Sequence, residues 1–178
     1  MSQHETTQPG DGGFHCPQCG EFHEDVPFAY GPPAPELYYR ILEAERESRC
    51  ELTSDVCIID GEYLFVVGNL EIPVLDTNHT FSWDVWVSLS RSNFERTLEL
   101  WETVGRESEP PYFGWLSTLL PNYPETLNLK THVHTRAVGL KPYIELQPTE
   151  HPLAIEQRDG ITMDRVRQIA ETLGYRPK

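Results

Sequence analysis

The sequence predicts an α+β domain, with a mainly antiparallel sheet, about three helices and an N-terminal zinc-knuckle-like arm. Three observations carry this. Runs of β-branched and aromatic residues follow one another across turn signals, most clearly at Asp60-Gly61. Segments with apolar residues at helical spacing fall between groups of those runs. The chain also has Cys16-Pro17-Gln18-Cys19-Gly20 near its start, a spacing that turns two thiols toward one point.

Residues 1–13 are polar, Gly-containing and without periodicity, which predicts a disordered tail; residues 14–178 read as a single domain. Glu36 to Arg49 places Leu37, Ile41 and Ala44 on one face and predicts the first helix. Asp55 to Asp60 and Tyr63 to Val74 form a predicted hairpin, with Pro73 limiting its second strand. From Phe81 to Leu89, Phe81, Trp83, Val85, Val87 and Leu89 alternate with Ser82, Asp84 and Ser88, and Trp86 is the large exception. Ser92 with Glu95 matches a capping box for a second helix through Phe94, Leu98, Trp101 and Val104, stopped by Gly105. Tyr112 to Leu120, Leu127 to Val138, Tyr143 to Gln147 and Leu153 to Gln157 read as further strands. Thr162 to Leu173 places Val166, Ile169, Ala170 and Leu173 on one stripe before Gly174, the third helix.

Composition narrows the function classes. At 178 residues, with 38% hydrophobic residues, the chain can build its own core, so a metal need not hold the whole fold. Fourteen Lys and Arg against 28 Asp and Glu give a formal charge of −14, which opposes nucleic-acid binding. No apolar run approaches the roughly 20 residues that span a bilayer, and the start lacks an export signal. The expected setting is the cytoplasm, with the four cysteines free or metal-bound rather than paired in disulfides.

The knuckle supplies Cys16, Cys19 and His23 as metal ligands, a thiolate and imidazole set suited to a structural Zn²⁺. A fourth ligand is expected from Cys57, Cys50 or His151, with Cys57 preferred because Val56, Ile58 and Ile59 place it on a strand. The bland reading is two unbound thiols in a tight turn and Cys57 as a small apolar core residue. A redox Cys-x-x-Cys fits poorly, since no helix start follows.

Two other constellations stand out. Asn128, Lys130, His132, His134 and Arg136 would share a strand face, a basic stripe in an acidic chain whose ordinary fate is pairing with nearby carboxylates. Glu145, Glu150, His151, Glu156 and Gln157 offer acid–base groups if the fold brings them together. Phosphate loops, nucleophile elbows and Ser/His/Asp arrangements are not recognisable, so no catalytic residue is nominated.

The ordered blocks Cys16-Pro-Gln-Cys-Gly-Glu-Phe-His23, Asp55-Val-Cys-Ile-Ile59, Gly68-Asn-Leu-Glu-Ile-Pro-Val74, Trp83-Asp-Val-Trp-Val-Ser-Leu-Ser90, Tyr112-Phe-Gly-Trp-Leu116, Tyr123-Pro-Glu-Thr-Leu-Asn-Leu-Lys130 and His151-Pro-Leu-Ala-Ile-Glu-Gln157 resemble the bacterial proteins grouped as domain of unknown function 2199. The resemblance spans about residues 14 to 173 and implies a bacterial cytosolic protein with a Cys-x-x-Cys and a His near its N-terminus. It implies no activity. The expected function is a zinc-stabilised module that binds an unknown protein partner through its sheet face or the Trp86 and Trp115 region, with an immunity-type role as one version. The competing class is a small metal-dependent hydrolase using His132, His134 or His151 with Glu145 or Glu156.

Overall fold

Five strands close on themselves. The computed structural model describes residues 12–175, so the expected tail lies outside the described residues up to residue 11. β6 (Tyr63–Pro73) and β7 (Thr80–Leu89) are long, and they pair antiparallel from Phe65↔Ser88 to Pro73↔Thr80. β8 (Tyr112–Leu116), β9 (Lys130–His134) and β10 (Tyr143–Leu146) continue the antiparallel meander. β10 then returns to pair parallel with β6 at Tyr143↔Asn69, which completes a barrel in the order β6-β7-β8-β9-β10-β6.

This corrects the expected simple antiparallel sheet. Hairpin signals report neighbours along the chain, whereas the closing contact joins strands about 75 residues apart and has no local signature. Gly68 permits it. A Cβ there would lie 2.6 Å from Ile144 Cδ1 and 2.8 Å from the Pro142 carbonyl oxygen. Further strands extend the sheet: β3 (Ala29–Tyr30) runs parallel to β7, and β4 (Cys50–Leu52) and β5 (Val56–Ile59) lie outside β6. The separate hairpin of β1 (Phe14–His15) and β2 (Phe22–His23) forms the N-terminal arm. The Asp60-Gly61 turn is as the sequence indicates, with positive φ at both residues.

Among the described residues there are five short helices, not three. The expected helix over Glu36 to Arg49 breaks into α1 (Glu36–Arg40) and α2 (Glu43–Arg49), with Ile41 and Leu42 extended between them. The break drops Ile41 into a second apolar cluster with Cys57, Ile59, Phe65, Val67 and Trp86, while Arg46 Nε donates to the Ile41 carbonyl. Trp86, the exception to the alternation, is buried on that second side and donates its indole N–H to Pro32. The alternating Phe81, Trp83, Val85 and Val87 fill the main core.

α3 (Arg91–Glu99) is capped two residues earlier than the Ser92 box suggests, with Ser90 Oγ accepting from the Asn93 N–H, and it ends before Trp101 and Val104. The expected strand at Leu153 to Gln157 is instead α4 (Pro152–Asp159), with His151 Nδ1 as its cap acceptor and Leu153 and Ala154 buried. Five apolar-rich residues cannot distinguish the two periods. From α4, Gln157 donates to the Ile144 carbonyl and accepts from the Leu146 N–H, satisfying the part of β10 that β6 does not reach. α5 (Met163–Leu173) follows its predicted stripe, burying Val166, Ile169 and Ala170. No described helix is long and apolar enough to cross a membrane.

Candidate metal centre

The arm hairpin closes through Gly20, whose φ of 76° suits a residue without Cβ and whose N–H donates to the Cys16 carbonyl. The Cys16 N–H donates in turn to the Glu21 carbonyl. This turn brings the Cys16 and Cys19 sulfurs and a His23 ring nitrogen within 4.8 Å of one another. Among the described residues it is the one group of three or more Cys, His, Asp or Glu side chains placed to hold a metal ion. Cys19 Sγ lies 3.2 Å from His23 Nε2.

The C-terminal end of α5 completes the surroundings. The Tyr175 N–H donates to Cys16 Sγ at 3.2 Å, and Gln18 Nε2 donates to the Leu173 carbonyl at 2.9 Å. The His23 ring stacks on Phe14 and, nearly parallel, on Tyr175 with centroids 4.6 Å apart. Cys16 is 2% exposed. Its thiol is drawn down to about 6, chiefly by the Tyr175 N–H, with burial opposing and the Cys19 and Gln18 N–H groups assisting. The sequence does not reveal that Gln18 and Tyr175 join the knuckle to the end of α5, because no local pattern ties a C-terminal helix end to a segment some 155 residues earlier.

The structure does not bring Cys57 to this group. It sits on β5 in the second apolar cluster, fully buried, and burial pushes its thiol up to about 12, the state of an inert core residue. Cys50 packs against the same cluster with its thiol also raised. His151 is not in the group either: its Nδ1 caps α4, and its Nε2 is buried without a hydrogen-bond partner among the described residues.

Of the other expected groups, only His134 and Glu145 come together, and Glu156 and His151 are engaged elsewhere. His134 Nε2 lies 2.7 Å from Glu145 Oε2 on the outer barrel face. Arg136 is held by Glu71, Asn69 and the Lys141 carbonyl. Glu156 accepts from the Tyr123 hydroxyl and pairs with Arg165. Within the basic stripe, His134 and Arg136 are thus paired. Lys130 is the exception: among the described residues it is the one Lys or Arg that has neither a carboxylate nor a carbonyl partner.

The model of the family described as "Uncharacterized protein conserved in bacteria (DUF2199)" matches residues 15–161. The chain belongs to this family. The DUF2199 match takes in the whole ligand group and the five-stranded barrel and stops before α5. The helix end that donates to Cys16 therefore lies outside the DUF2199 match. No curated protein and no solved structure matches the chain.

Proposed function

We propose that this DUF2199 protein is a zinc-stabilised protein-interaction module. Two sulfurs and an imidazole favour Zn²⁺ over hard ions such as Mg²⁺ or Ca²⁺, which take oxygen ligands. Bound there, the ion would cross-link the arm hairpin, which the Tyr175 N–H and Gln18 already join to the end of α5, and would add its binding free energy to folding of the arm. Among the described residues the group supplies three protein ligands, so a fourth protein ligand would close the site as a structural one, whereas water in that position would leave it open.

The observation that carries the interaction reading is an exposed aromatic pair on β8. Phe113 and Trp115 are each 40% exposed, pack edge to face at 5.0 Å, and border a groove with Ser88, Ser90 and Asn93. Across the register they face His132 and the unpaired Lys130. Such a surface suits a partner that inserts an apolar anchor beside a carboxylate, because aromatic anchors carry most interface energy and a free ammonium is complementary to an acid. The chain as a whole carries a formal charge of −14, which favours association with a basic surface. An immunity-type role against a basic protein rests on that net charge alone.

The test has two arms. Elemental mass spectrometry of protein purified without added metal should give about one zinc per chain, lost in Cys16→Ser. A photo-reactive residue in place of Phe113 should crosslink a partner, and the purified partner should bind Trp115→Ser at least about tenfold more weakly. Unchanged binding by Trp115→Ser would overturn the assignment of this face.

A further inference from the structure

A separate cavity lies at the end of the barrel where β9 gives way to the loop 135–142. Its volume is about 360 Å³, and its walls include Trp101, Tyr112, Val133, Val138 and Leu140. Its notable polar group is Arg106, which is only 8% exposed. Nε donates to the Arg136 carbonyl at 2.7 Å, Nη1 to Trp101 at 2.7 Å, and Nη2 to Ala137 and Leu140. These bonds use four of the five guanidinium N–H groups. No carboxylate pairs with it among the described residues, so a buried positive charge is offset by carbonyl dipoles alone.

A buried cation without a counter-ion favours an anion that can reach it. The Trp101 ring, 5.7 Å from the Arg106 guanidinium carbon, gives a flat apolar wall next to that charge. The Thr135 hydroxyl lines the cavity too. Arg136 and Lys141 also line it but are neutralised by Glu71 and Asp84, whereas Asp55 and Glu102, in the same lining, have no cation partner among the described residues and would repel a second negative charge. A volume of about 360 Å³ is in the range of small-molecule pockets.

We propose that this cavity binds a small monocarboxylate with a flat apolar body, its carboxylate directed to the free Arg106 N–H and its body against Trp101. Dicarboxylates and phosphorylated compounds should bind more weakly, because Asp55 and Glu102 oppose the second charge.

The test uses the full chain, isotopically labelled, titrated with phenylacetate and with its neutral isostere phenylacetamide. Phenylacetate should shift the amide signals of residues 101–106 and 135–142 with a submillimolar midpoint, and phenylacetamide should bind at least about tenfold more weakly. Arg106→Gln should remove the difference between the two probes. Because that substitution also releases four carbonyls, Val138→Trp, at a partly exposed wall position, serves as the second variant and should abolish both titrations while leaving the remaining spectrum in place. Equal binding of the two probes by the native chain, or no shift in those residues at millimolar phenylacetate, would overturn the proposal.

Discussion

Tyr175 donates its backbone N–H to the Cys16 sulfur at 3.2 Å, across 159 positions of sequence. A thiolate accepts such a bond better than a thiol, so the contact both lowers the Cys16 pKa and joins the arm to the end of α5.

Two substitutions at Tyr175 separate these effects. Tyr175→Pro deletes the N–H, and Tyr175→Ala keeps it while removing the ring stacked on His23. In metal-free protein carrying Cys19→Ser, thiolate absorbance should show Cys16 titrating well above about 6 in the proline variant and near its native value in the alanine variant. Cys50 and Cys57 are raised and do not obscure the reading.

The same shift sets a pH dependence. The folded pKa of about 6 lies below the ordinary thiol value of 9.0, so the metal-free fold binds fewer protons than the unfolded chain between about 6 and 9.0. Its contribution to stability is complete above 9.0 and is lost as pH falls through about 6. Urea midpoints should therefore rise with pH across that window, and more gently in Tyr175→Pro.

Cysteine reactivity should divide by location. Cys19 is exposed, whereas Cys57 is fully buried with its thiol pushed up to about 12. At pH about 8, iodoacetamide should label Cys19 in native metal-free protein and leave Cys57 untouched until global unfolding, as read by mass spectrometry of the intact chain and its peptides.

Barrel closure should be sensitive to Gly68. Gly68→Ala places a Cβ into Ile144 and the Pro142 carbonyl and should cost about 1–3 kcal/mol. Gly68→Val should cost more and loosen the pairing of β10 with β6. Thermal unfolding, with hydrogen exchange of the Asn69 amide that donates to Pro142, measures both.

The second core should depend on the Trp86 indole. Trp86→Phe retains a ring but leaves the Pro32 carbonyl without its donor, and should cost about 1–3 kcal/mol in chemical denaturation.

What the sequence determined by itself is local. The Asp60-Gly61 turn, the alternation of β7, the stripe of α5 and the Cys16, Cys19 and His23 spacing are all short-range patterns, and each is present in the structure. In these segments one periodicity or one turn geometry is much more favourable than its competitors. Even locally, Leu153 to Gln157 was too short to choose helix over strand, and burial of Ile41 outweighed the continuous helix that Glu36 to Arg49 suggests. Only the tertiary structure decided the rest: the return of β10 to β6 over Gly68, the diversion of Cys57 into the Trp86 cluster, the pairing of Arg136 and His134, and the seating of Tyr175 on Cys16. Each joins residues far apart in sequence, and their meeting depends on the sum of packing and hydrogen-bond satisfaction over the whole barrel, which no single segment encodes.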